Sequence, residues 1–175
     1  HLAHRPVGRT YTLHVASSSP QAFTLRLRVP WWVQGAARVT LNGQALAIPA
    51  RPGQYAELDR VWGADTLRVE FPAALTLCPL PDAPDTAALM EGPVVLAGLY
   101  GPGGVEWNET LEEHTLSLDP AHPEHWLAAD DERDGGQWLN GWRTRGQAVN
   151  RRFIPLYEVA GERYAIYYQI NPPER

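Results

Sequence analysis

Short stretches in which apolar and polar side chains alternate mark the first half of the chain. In Phe23–Trp32, FTLRLRVPWW, the residues Phe23, Leu25, Leu27 and Val29 fall on one face, and Thr24, Arg26 and Arg28 on the other. A period of two predicts a strand with one buried face. Pro30 ends it, because proline has no amide to donate to a ladder. The same alternation recurs over residues 9–16, with Tyr11, Leu13 and Val15 inward and Thr12 and His14 outward. It recurs again over Thr66–Phe71, where Leu67, Val69 and Phe71 alternate with Arg68 and Glu70. Between them, Val39 and Leu41 precede Asn42-Gly43, and Leu46 and Ile48 follow. Asn-Gly supplies the positive φ angles of a type I′ hairpin turn. With Tyr55–Arg60 and a short stretch at Leu75, Leu77 and Cys78, roughly seven strands precede residue 79 at the spacing of a sandwich.

Pro79–Pro84, PLPDAP, holds three prolines in six residues. It is the strongest break in the pattern and predicts a division into residues 1–80 and 81–175. Beyond it, Thr86–Met90 and the apolar run Val94–Tyr100 flank Glu91-Gly92-Pro93. Thr115–Leu118 reads as a short strand. Phe153–Val159 and Tyr164–Ile170 are expected to pair as a final hairpin around Ala160-Gly161-Glu162. The predicted fold class is all-β: antiparallel, with two packed sandwich subdomains of jelly-roll or immunoglobulin-like type, the second the smaller.

Composition narrows the function classes. A chain of 175 residues with 44% hydrophobic and 20% charged content can build a core. Net charge is −5, which argues against nucleic acid, since a phosphate-binding surface shows a basic excess. The single cysteine, Cys78, forms no internal disulfide and no cysteine metal cluster. No apolar run approaches the ~20 residues of a membrane span, so no membrane partner is expected. The start, HLAHRPVG, has neither an apolar stretch nor a Met. It is not itself a signal peptide; the chain is read as a fragment of a longer protein, and a cytoplasmic location is expected.

No constellation with complete chemistry emerges. His122 and His125 are three apart, but Pro123 between them disfavours a helix presenting both on one face, and no third ligand stands out. Asp130, Glu132, Asp134 and Gly135 imitate the start of a calcium loop, yet the twelfth position falls on Gly141 instead of an acid, so a solvated acidic turn is expected. Cys78 beside a proline at the end of an apolar strand reads as a buried, inert thiol. Glu109 with Glu112 or Glu113 reads as a charged loop. No metal and no cofactor are expected. The seven tryptophans offer rings on which sugar C–H faces could stack, though most Trp in such sandwiches anchor a core or an interface. Trp32 and Trp62 are assigned to the core. Trp31, Trp107, Trp138 and Trp142, near loops and strand ends, are the candidate carbohydrate or domain contacts.

In order, LRLRVPWW, VTLNGQ, GQYAELDRVWGADTLRVEFP and ALMEGPVVLAG resemble the region that follows the catalytic domain in glycoside hydrolase family 127 and the DUF1680 group, typified by β-L-arabinofuranosidases. Leu27, Arg28, Val29, Pro30 and Trp32 fit its first motif, and Asn42 and Gly43 its second. Gly53, Tyr55, Arg60 and Trp62 fit the third, with Gly63 and Asp65 separated by Ala64 where the family has them adjacent. Gly92, Pro93, Val95 and Ala97 fit the fourth. The closing FIPLYEVAGERYAIYYQ is similar to the family's C-terminal strand pair. The resemblance implies a C-terminal β-sandwich region whose partner is an upstream (α/α)6 barrel in the same polypeptide, and that barrel carries the zinc, the cysteine nucleophile and the glutamate ligands. Cys78 does not match that nucleophile, so no catalytic residue carries over. The chain is therefore expected to be inactive alone, the non-catalytic part of a glycoside hydrolase that braces the barrel and shapes its cleft. The alternatives are a stand-alone carbohydrate-binding module and a protein-interaction sandwich.

Overall fold

Asn42 and Gly43 have φ of +52° and +82°, and the strands they join pair Leu41 with Gln44, which is the two-residue type I′ hairpin. The computed structural model describes residues 10–102, 114–130 and 141–172. The chain divides into two compact units, residues 1–74 and 75–175. No α-helix occurs among the described residues, and none of their helices is long and apolar enough to cross a membrane.

The first unit contains β1 (Thr10–Val15), β2 (Gln21–Arg28), β3 (Arg38–Leu41), β4 (Gln44–Leu46), β5 (Tyr55–Trp62) and β6 (Asp65–Glu70). One sheet has the order β1-β6-β3-β4, and a second is the β2-β5 ladder. That ladder runs antiparallel from Gln21 opposite Trp62 to Arg28 opposite Tyr55. Alternation decides its faces. Leu25 and Leu27 turn toward the core, while Arg26 reaches Glu57 at 2.7 Å and the Arg28 guanidinium lies 5.7 Å from the Tyr55 ring centre. Leu58 and Trp62 of this ladder share one cluster with Val39, Leu67 and Val69 of the other sheet, so the unit is a β-sandwich. Phe23 departs from the simple pattern: at the start of β2 it is 40% exposed, yet its ring stacks on Trp62 at 5.7 Å.

The residues of the second and third motifs meet in space. Asp65 accepts hydrogen bonds from the Gly63 amide at 2.9 Å and the Asn42 side-chain amide at 2.8 Å. Asn42 Oδ1 in turn accepts from the Thr66 amide at 2.8 Å, and the Asn42 amide donates to the Thr66 carbonyl at 2.8 Å. Arg60 stands 3.7 Å from Asp65. The Asn-Gly turn is thereby pinned to the β5–β6 turn by hydrogen bonds, one of them to a charged group, which are the stronger kind. The Gly63 amide, then the Asn42 amide and Arg60, outweigh burial and hold the Asp65 carboxyl below its ordinary value. The stabilisation that follows is present above the unfolded carboxylate range and is lost as pH falls through the lowered folded value. Acid unfolding of Asp65→Asn is therefore expected to show a weaker pH dependence below about pH 4 than the parent chain. Superimposable profiles from urea melts across that range would remove this role.

The second unit contains β7 (Leu75–Leu80), β8 (Ala83–Glu91), β9 (Val94–Pro102), β10 (Thr115–Ser117), β11 (Leu127–Ala129), β12 (Trp142–Thr144), β13 (Arg152–Pro155), β14 (Glu162–Ala165) and β15 (Tyr167–Asn171). They form one sheet with the path β10-β15-β8-β9-β13-β12-β11, with β7 on β8 and β14 on β9. All pairs are antiparallel except β10 with β15. Leu116 of β10 and Leu127 of β11, from opposite ends of that path, belong to the same buried cluster as Leu89, Leu96, Phe153 and Tyr168. The sheet therefore bends over one core. Gly92, with φ of +59°, and Pro93 form the two-residue β8–β9 loop. Proline requires a negative φ, so the turn is of the II′ kind.

Two expectations are corrected here. The boundary falls before Leu75, not at residues 80 and 81. PLPDAP is the turn of the β7–β8 pair, in which Leu80 lies opposite Ala83 and the register shifts after Pro79. Its prolines sit where a ladder is already irregular, which is where a strand tolerates them. The final hairpin also does not form. β13 pairs with β9 through Phe153 and Gly98, and β14 pairs with β9 through Ala165 and Gly98, so they occupy opposite edges of the same strand. The 3-10 turn Leu156–Glu158 and Gly161, with φ of +83°, carry the chain from one edge to the other.

Candidate functional site

Pro30 closes a turn by accepting the Val33 amide at 3.3 Å, which places Trp31 and Trp32 at its tip. Trp31 is 64% exposed. Trp32 is half-buried and packs edge-on against Phe71 at 6.1 Å. Paired bonds between Val29 and the Gly53–Gln54 backbone, each 2.9 Å, bring the next turn alongside. Trp31 and the 56%-exposed Tyr55 thus lie at the same end of the β2-β5 ladder. Trp62 is fully buried, and its indole N–H donates to the Phe23 carbonyl at 2.9 Å.

Trp142 is held differently. Its indole N–H donates to Glu91 at 2.9 Å, and its ring packs on the second core. Its one polar group is thus committed to a carboxylate that is itself buried. Trp107 and Trp138 lie outside the described residues, as do Glu109, Glu112, Glu113, Glu132 and Asp134.

Several of the described carboxylates are held by arginines or by other side chains. Glu57 pairs with Arg26, Glu70 with Arg38 at 2.6 Å, and Asp59 accepts from Thr24 at 3.2 Å. Asp130 is buried instead of solvated: Arg152 bonds it directly and Arg143 stands 3.7 Å away. Gly141 makes room for this, since a Cβ there would meet the Asp130 Cβ at 3.3 Å. The acidic-turn expectation fails at Asp130 because a buried carboxylate needs a charged partner, and Arg152 supplies one across β12. Cys78 is exposed, not buried. The apolar face of β7 is carried by Leu75 and Leu77, and alternation turns Cys78 to the other side.

His122, Glu124 and His125 do gather. Their ligand-type atoms lie within 4.8 Å of one another, and all three side chains are exposed. The hydrogen-bonded backbone amide of Glu124, and secondarily His122, hold the Glu124 carboxyl below its ordinary value. Sequence reasoning missed this grouping because it read Pro123 as a helix breaker. Proline is at home in the first position of a helical turn, and here it opens the 3-10 turn Pro123–Trp126.

The family model for the GH127 β-L-arabinofuranosidase middle domain matches residues 3–73. No curated protein matches the chain. Among solved structures, a GH127 β-L-arabinofuranosidase from Geobacillus stearothermophilus T6 is similar at 23% identity and a TM-score of 0.64, over 95% of this chain and 29% of that one. A GH127 β-arabinofuranosidase is similar at 19% identity and a TM-score of 0.68, over 95% and 30%. A glycoside hydrolase is similar at 18% identity and a TM-score of 0.64, over 95% and 31%. The chain thus spans about three-tenths of the length of these structures. Over nearly all of its length it has the β fold found in these glycoside hydrolases, and its first unit carries the match to the GH127 middle domain.

Proposed function

We propose that the chain is the non-catalytic β region of a family 127-like glycoside hydrolase, lying C-terminal to an (α/α)6 catalytic barrel that it braces and whose cleft it helps to shape. The observation that carries this reading is the middle-domain match over residues 3–73, laid on a unit whose motif residues Asn42, Arg60, Trp62 and Asp65 are engaged in holding a sandwich together. They are framework residues, which suits a bracing module. The exposed Trp31 is the natural anchor for the barrel, because a large ring at a turn tip buries much apolar area on docking. The barrel, in the same polypeptide, is the partner. Nucleic acid and membrane are not.

The test is co-expression of the chain with the region encoded upstream of it. The two are expected to co-purify, and Trp31→Ala is expected to weaken the complex by roughly tenfold or more, about 1.4 kcal/mol or above, as for an interface anchor. The chain alone is expected to release no sugar from aryl arabinofuranosides. Turnover by the isolated chain, or an upstream region without a barrel, overturns the reading.

A second reading, a carbohydrate-binding module acting alone, is favoured by Trp31 and Tyr55 standing exposed at one end of the same ladder. Calorimetry against arabinans and galactans separates the two. Heat that Trp31→Ala abolishes supports the second, and an absence of heat leaves the first.

A further inference from the structure

The geometry points to a binding site for a zinc-class transition-metal dication on the turn His122–His125, with His122, Glu124 and His125 as its three protein ligands. The backbone sets this up. The 3-10 helix has three residues per turn, so side chains three apart are eclipsed. His122 caps the turn from just outside its helical residues, and its ring stacks on that of His125, 5.2 Å between centres and 18° from parallel. Both imidazoles therefore leave the turn in the same direction, with Glu124 beside them. His122 Nδ1 stands 3.3 Å from Glu124 Oε1. A tetrahedral zinc with ligand bonds of about 2.1 Å needs neighbouring ligand atoms about 3.4 Å apart. One edge of that tetrahedron is already present, and the remaining separations, all within 4.8 Å, close by rotation of exposed side chains.

The turn is also held in place before any metal arrives. The His122 amide donates to the Asp119 carbonyl at 3.1 Å, and the His125 amide to the His122 carbonyl at 3.1 Å. The Ala121 amide donates to the Asp119 carboxylate at 2.9 Å. Pro123 is buried beneath the turn. At the far end the Trp126 carbonyl accepts the Arg145 amide at 2.7 Å, and β11 begins at the next residue. A pre-set backbone lowers the ordering cost of binding. Two imidazoles and one carboxylate suit zinc, copper(II) or nickel(II). Magnesium and calcium prefer oxygen ligands throughout. Three protein ligands leave the fourth position to water or an incoming group.

The experiment is calorimetric titration of zinc chloride into the 175-residue chain at neutral pH, repeated with magnesium chloride. Zinc is expected to bind one equivalent on this turn and magnesium none. Glu124→Gln is expected to weaken that equivalent tenfold or more, since even a partner of a ligand is worth roughly 10–100-fold, and His122→Ala/His125→Ala to abolish it. His1→Ala/His4→Ala is expected to retain it. The His122, Glu124 and His125 side chains are exposed in the described turn, and circular dichroism verifies that each variant folds. Imidazole proton resonances give a second readout: those of His122 and His125 should move together on adding zinc while His14 stays. An unchanged stoichiometry in the double variant, magnesium binding equal to zinc, or movement of His14 in their place overturns the proposal.

Discussion

Trp62→Ala should cost the first unit about 3–5 kcal/mol, the range for deleting a large aromatic from a core. Trp62 has no exposed surface and sits in the cluster that joins the two sheets of that unit. Three further interactions would go with it. The Phe23 carbonyl would lose its indole donor, the Phe23 ring its stacking partner, and the Arg60 guanidinium the ring face 5.2 Å below it. Since whole domains have only about 5–15 kcal/mol of stability, a loss of this size should leave the first unit largely unfolded at modest urea concentrations. Trp62→Phe keeps the ring packing and removes the donor. Its cost should be smaller, about 1–3 kcal/mol, for one lost hydrogen bond and the volume of the missing second ring. Urea melts followed by fluorescence and circular dichroism rank the two variants. A Trp62→Ala loss below 1 kcal/mol would show that Trp62 is not the keystone of this sandwich.

Gly98→Ala should destabilise the second unit by about 3 kcal/mol, at the upper end of overpacking costs. Gly98 lies in the middle of β9, with Phe153 opposite on one side and Ala165 on the other. A Cβ there would drive into the Tyr168 hydroxyl and come within 2.9 Å of the Phe153 ring and 3.0 Å of the Arg151 side chain. None of these can yield cheaply. Tyr168 and Phe153 are fully buried neighbours with ring centres 5.3 Å apart. Arg151 is anchored to the Leu99 carbonyl at 3.0 Å and lies over the Tyr100 ring at 3.4 Å. Gly63→Ala is the matching control, because a Cβ at Gly63 meets nothing within 4 Å and its φ is not in the left-handed region. Equal melting behaviour of the two alanine variants would refute the close-packing account of Gly98.

The two cases differ in how far the sequence announced them. Trp62 was readable as core because most Trp in a sandwich of this size anchor a core or an interface. Gly98 was hidden inside VVLAGLY, where nothing local distinguishes a glycine required by a tyrosine seventy residues away from one that merely fits. The Asn42-Gly43 turn was readable for the opposite reason, since two neighbouring residues determine its φ angles. The same holds for β1 and β6, and for β2 apart from Phe23, where periodicity alone assigns the faces. The failures share one cause. Cys78 and Asp130 were assigned environments from their immediate neighbours, whereas their exposure depends on which face of β7 meets the core and on Arg152 arriving from β13. PLPDAP was read as the break between two subdomains because prolines disfavour ladders, and it proved to be a hairpin end where the ladder had already broken.

The candidate sites follow the same rule. Trp31 was identified from its position after Pro30, and the turn does present it outward. The grouping of His122, Glu124 and His125 was within four residues and still escaped, because the choice between a broken helix and a 3-10 turn opened by Pro123 depends on what the turn is anchored to at Arg145.

By itself the sequence determined what depends on neighbours along the chain: strands of period two, an Asn-Gly turn and an all-β class. Only the tertiary structure decided which strands pair, that β13 and β14 flank β9 instead of each other, and that Asn42, Arg60 and Asp65 meet at one junction. The physical reason is range. Backbone dihedral preferences and side-chain alternation act over two to four residues, whereas pairing and burial are chosen by the whole core, where a strand takes whichever edge lets its apolar face be covered.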